Sequence, residues 1–378
     1  MSKHLQLATL LIATGLAAVA QTGNTKLYRS SGNEWIQEVS GTLPAAKMVR
    51  VKSSAGSIKV QGGQQQTNIK YVIREHVRAS SEDAARREIS RMKFTTLSSA
   101  ETVLLKADCE GYNRGSIDFD VQVPQQTAVL KLETNGGQVS AENLAGKLEA
   151  NTGGGNIHLD KITGAIAVAS GGGQIDIGNV GSDVSVSTGG GNIHIGSAAG
   201  RVVASSGGGD LRVGSGKLMT LETGGGSIQV NKCEGQIKAE TGGGTIDLSE
   251  IGGPAVIESG GGGIKVAGIR NGLRAETGSG PIVATLTRGT NFSDSRLETS
   301  VGDIIVYVPD GLGVTIRAAV EVARGDGIRS DFPELKITHS GSIGPREVFA
   351  EGSLNGGGPV LHVHTAAGNI QFLRKKTQ

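Results

Sequence analysis

The sequence predicts an all-β protein built as a parallel β-helix, a β-solenoid with 18-residue rungs. Three observations predict it: a fixed spacing of apolar residues, a glycine cluster in every period, and alternation of apolar with polar residues between clusters. The first apolar residue after each cluster is Val139, Ile157, Ile175, Ile193, Leu211, Ile228, Ile246, Ile264 and Ile282, spaced by 18 except for one step of 17. No period of this length buries its apolar face alone, so neighbours must stack to make a core. It is too short for a propeller blade of roughly 40 residues and lacks helical spacing. Nine rungs at about 4.8 Å each give a rod roughly 40 Å long.

Within one rung, Gly155 to Gly172, two nine-residue halves each hold a short alternating strand and a turn. Ile157 and Leu159 point inward from the first strand and Ile166, Val168 and Ser170 from the second, while Ile162 fills the corner. A Ser or Thr precedes each glycine cluster, at Thr152, Ser170, Thr188, Ser206, Thr223, Thr241, Ser259 and Thr277. An inward hydroxyl there satisfies turn amides that water cannot reach. The glycines are expected to supply positive φ and freedom from a Cβ.

In chain order, residues 1–20 read as a secretory signal: Lys3 and His4, an apolar run from Leu5 to Ala20, and Ala18-Val19-Ala20 before the cleavage point. Residues 21–129 form an N-terminal flank and cap. They contain a strand turn at Ser54–Val60, a strand at Asn68–Arg74, a helix from Glu82 to Met92 opened by Ser80 or Ser81, and strands at Val103–Ala107 and Ile117–Val123. Residues 130–286 are the regular rungs. Residues 287–378 are C-terminal strands and a cap, where Ile304–Pro309 matches Ile117–Pro124. After signal cleavage no segment is apolar enough to span a membrane, and no cysteine follows the signal to take a lipid.

Lys and Arg number 37 against 35 Asp and Glu, so no general positive field exists for nucleic acid. The glycine turns could suggest phosphate cradling, but neither a helix N-terminus nor a positioned lysine follows them, and no cofactor is expected. Polysaccharide-active β-helices need paired carboxylates and aromatic platforms. Only 11 aromatics occur here, Trp35 being the one tryptophan, and no Gly-x-Ser-x-Gly or His-Glu-x-x-His motif is present. The chain is therefore expected not to be an enzyme.

Four constellations remain. Glu222, Glu240, Glu258 and Glu276 occupy one outward column on four consecutive rungs, an unfavourable stack of like charges. Lys238 and Arg274, two residues earlier, are the simple compensators; a divalent cation or a basic partner is the functional alternative. His158, Asp176 and His194 form a second outward column, but histidines two rungs apart are almost ~10 Å from each other, too far to share an ion bound at ~2.1 Å. His362 and His364 lie on one strand face and could share a metal with His339, although surface histidines on a terminal strand need no metal. Cys109 and Cys233 are a candidate disulfide in an exported chain, yet Cys233 falls in the corner column of Ile162, Val180, Ala198, Ile251 and Ile269, the place of a buried thiol.

Recurring elements at Ser54-Ala55-Gly56-Ser57-Ile58, Thr152 to Ile157, Thr299 to Ile304 and Thr365 to Ile370 resemble those of a bacterial putative-adhesin family classed as a domain of unknown function. The resemblance covers most of the mature chain. It implies an exported envelope or surface protein and transfers no catalytic residue. The leading expectation is a non-catalytic adhesin or binding scaffold for an envelope or surface ligand, protein or glycan. A structural or stress-response envelope component is the alternative.

Overall fold

The computed structural model describes residues 24–109, 115–288, 292–323, 325–340 and 346–375; the signal segment at 1–20 lies outside them. Among the described residues there are 34 strands and one helix, and none of the helical structure is long and apolar enough to cross a membrane. Two long sheets pack face to face. Each coil contributes one strand to each sheet, with a glycine turn between the two strands and a second corner before the next coil.

The predicted register is observed. Ile157 pairs with Ile175, Ile175 with Ile193 and Ile193 with Leu211 in one sheet, here sheet 2. Ile166 pairs with Val184 and Val168 with Val186 in the other, sheet 1. These inward aliphatics are almost wholly buried, and each contributes roughly 1.5–3 kcal/mol by leaving water. The 17-residue step is absorbed at one corner, since Ser197 pairs with Ser215 but Arg201 with Leu218. Gly216 then stands in the corner column, and Met219 fills the space that its missing side chain leaves.

The hydroxyl column runs as expected and does more. Thr241 Oγ1 accepts from the Gly244 amide at 3.1 Å and donates to the Gly226 carbonyl of the preceding coil at 2.7 Å. Thr152, Ser170, Thr188, Ser206, Thr223, Ser259 and Thr277 repeat the inter-coil bond.

The glycines correct one expectation. None of the triplets from Gly153 to Gly262 lies in the left-handed region. The first and third glycines are required by close stacking instead: a Cβ on Gly242 would lie 2.2 Å from the Gly224 carbonyl oxygen, and one on Gly244 2.0 Å from that of Gly226. The middle glycine, Gly243 for example, has no neighbour within 4 Å and is free of that constraint.

The flanks also extend the stack beyond nine rungs. Strands Met48–Ser53 and Ile58–Gly63 lie directly beneath the coil that begins at Val129, and Thr102–Asp108 with Gly115–Pro124 lie beneath those. At the other end the coil Ser295–Pro309 is followed by Val360–Lys375, and only then by Val314–Ser330. Fourteen coils therefore stack among the described residues, out of sequence order at both ends, giving a rod of roughly 60 Å.

Antiparallel strands close the ends. Asn24–Ser31, Glu34–Pro44 and Asn68–Arg78 continue sheet 2 outward from Gly115–Pro124. Lys93–Ser98 and Lys336–Ser340 end sheet 1, and lysines on such edges discourage further pairing. The helix runs Glu82–Ile89, capped by the Ser81 hydroxyl, which accepts from the Ala84 amide. It stops before Met92 because the chain turns there and places Met92 in the core.

Candidate binding groove

The glutamate column stands on the outer surface of sheet 1, one residue before each inward hydroxyl. Glu222 pairs in register with Glu240, Glu240 with Glu258 and Glu258 with Glu276. The column continues through Glu298 and then His364, both absent from the expected set. Glu298 was hidden by the longer segment between Leu286 and Ser295, and His364 by the out-of-order coil. Both immediately precede the Thr of a recurring element, Thr299 and Thr365, and that position was the available signal.

Between this column and the first glycines of the turns runs an open groove of about 940 Å³, lined by all five glutamates, His364 and the glycine turns. Lys238 bonds Glu240, Arg274 bonds Glu276 at 2.7 Å and Arg296 bonds Glu298 at 2.7 Å. Glu222 and Glu258 have no ion pair among the described residues; they act on Lys238 at longer range, as Glu258 does on Arg274. Lys238 is held above the usual lysine range, first by its bond to Glu240 and then by the attraction of Glu240, Glu222 and Glu258. Five carboxylates thus face three paired cations. Beyond His364, which meets Glu321 at 3.1 Å, the same row passes Ala319 and the exposed ring of Phe349 and ends at Thr338 on the edge strand.

The other constellations are placed differently. Asp176 bridges two histidines, accepting from His158 Nδ1 at 3.1 Å and His194 Nδ1 at 2.9 Å, so the column is an internally paired surface stripe. His339 lies three strands away from His362 and His364 across the terminal strands of sheet 1. No group of three or more metal-ligating side chains gathers among the described residues. Cys109 and Cys233 are separate buried thiols. Burial raises the Cys233 pKa, against the opposing effect of its Gly235 contact.

No protein-family model matches the chain, and no curated protein matches it. Among solved structures it is similar to a putative cell adhesion protein of Clostridium sporogenes, at 9% identity over 90% of this chain and 100% of that one, with a TM-score of 0.21. It is also similar to a putative adhesin of Bacteroides fragilis, at 12% identity over 72% and 97% of the two chains, with a TM-score of 0.25.

Proposed function

We propose that the chain is an exported, non-catalytic binding scaffold of the cell envelope or surface, and that the glutamate groove receives an extended polycationic segment of its partner. The observation that carries this reading is the unbalanced column: five carboxylates in one straight row, two of them without an ion pair among the described residues. Like charges about 4.8 Å apart oppose folding, so the column is accounted for by what it attracts. A partner with regularly spaced ammonium or guanidinium groups matches a linear site. Calcium, with its shell of 6–8 oxygens around one centre, matches it less well. Among the described residues that line it the groove has no Tyr, Trp or Phe, unlike the aromatic platforms of a sugar-cleaving cleft.

Titration of the full chain with a ten-residue oligolysine tests the reading. Salt-sensitive binding is expected, weakened at least about tenfold in the double variant Glu222→Ser/Glu258→Ser. Equal binding by both proteins, or none by either, contradicts it. Saturable stabilisation by calcium without oligolysine binding would assign the column to a metal instead.

A further inference from the structure

At the N-terminal end of sheet 2, His76 on strand Asn68–Arg78 stands between two carboxylates from the neighbouring strands. Its Nε2 lies 3.2 Å from Asp118 Oδ2 and its Nδ1 3.6 Å from Glu34 Oε1. Nε2 is shielded from solvent and has no aligned hydrogen-bond partner among the described residues. A neutral imidazole has one N–H and one lone pair, so between two acceptor-only groups it always turns a lone pair toward an anion. Imidazolium presents an N–H to both. Asp118 also accepts the Ser57 amide at 2.7 Å through Oδ1, which ties this cluster to the turn between the two strands of the next coil.

We propose that His76 is a protonation-dependent clamp holding the antiparallel layer Glu34–Pro44 and Asn68–Arg78 onto the first coils of the rod. Among the described residues on this face, Arg74 bonds Glu38 at 3.1 Å, Lys26 lies in register with Glu38, Arg78 with Glu34 and Lys59 with Asp120, while Lys70 stands between the neutral Thr42 and Gln122 at the far end of the strand from His76. The helix adds only Ala85 and Ile89 to the buried side.

The direction of control follows from the charges. The contact with Asp118 raises the His76 pKa above the ordinary 6.5, burial opposes it, and Glu34 adds to the rise. A raised imidazole stabilises fully below the unfolded value and loses that contribution as pH climbs through the folded one. For Asp118, burial favours the neutral acid, but His76, the Ser57 amide and Arg74 outweigh it and hold the pKa low, so its contribution fails only in acid. Glu75, on the opposite face, is buried and bonded to Gln37 at 2.7 Å. Its pKa is raised by burial, so it too favours the lower pH and needs its own control.

Trp35 is a local reporter, because it pairs with Val77 and its indole donates to the Ala79 carbonyl. Emission of the full chain should show one step at a pH above the ordinary histidine value of 6.5, with amide exchange at Gln37 and Val39 rising at least about threefold beyond intrinsic base catalysis. The far-ultraviolet circular dichroism of the rod should stay constant. The step should vanish in His76→Gln and survive in Glu75→Gln. A flat wild-type profile, or a step that persists in His76→Gln, overturns the clamp. Should His76→Gln not fold, the imidazole Cε1 proton of the wild-type chain titrates the same group: a midpoint above 6.5 that falls in Asp118→Asn supports the clamp, and an ordinary midpoint rejects it.

Discussion

The two halves of the rod share one scaffold and differ in one outward column. In the N-terminal half the residues before the inward hydroxyls are Lys52, Glu133, Asn151, Ala169, Ser187 and Ser205; in the C-terminal half, in unbroken register, they are Glu222, Glu240, Glu258, Glu276 and Glu298. Both halves have the same turns, hydroxyl bonds and inward aliphatics, so the fold does not ask for carboxylates at this place. The one glutamate on this column in the N-terminal half is instructive. Glu133 is given two cations, Arg50 at 2.6 Å and Lys52 at 3.2 Å, whereas among the described residues none pairs with Glu222 or Glu258. Shared features are therefore attributed to stacking and the glutamate row to binding.

That division can be broken by paired substitutions. Core truncations should cost the same in both halves: Ile177→Ala and Leu248→Ala are each expected to lose about 2–5 kcal/mol in chemical denaturation. A large asymmetry would mean that the halves are not one scaffold. Next, Gly173→Ala and Gly244→Ala push a Cβ into the preceding coil, at about 1–3 kcal/mol each, while Gly172→Ala and Gly243→Ala meet open space and should leave the melting temperature nearly unchanged. Thr188→Val and Thr241→Val strand a turn amide and a carbonyl, again at about 1–3 kcal/mol, whereas Ser at either place should be tolerated. The smallest effect belongs to the outward column. Ser187→Glu/Ser205→Glu should destabilise by about 0.2–1 kcal/mol through new like-charge contacts, and added salt should relieve it.

Much of this was legible in the sequence because stacking repeats each residue's environment at a fixed interval. Ile157, Ile175 and Ile193 declare one column through spacing alone, and Glu222 to Glu276 declare another. Legibility ended where the chain stopped stacking in order. Strands Met48–Ser53 and Val360–Ala367 belong to the rod, but their partners are distant in sequence, so they read as caps and the rod seemed shorter. Glu298 and His364 were lost to the same cause. The glycine turns misled differently: composition cannot distinguish a glycine needed for φ from one needed for clearance, and Gly243 is needed for neither. The His76 cluster had no sequence signature, since Glu34, His76 and Asp118 meet only through antiparallel pairing.

If the glutamate row is the binding surface, its carboxylates are the ones a polycationic partner covers. Carbodiimide labelling of surface carboxylates, read by peptide mass spectrometry with and without saturating oligolysine, addresses this residue by residue. Protection should concentrate on Glu222, Glu240, Glu258, Glu276 and Glu298, while Glu133 and Asp176, already held by cations or histidines, keep their reactivity. Uniform protection across the rod, or protection confined to carboxylates outside the groove, would mean that the row is not the binding surface.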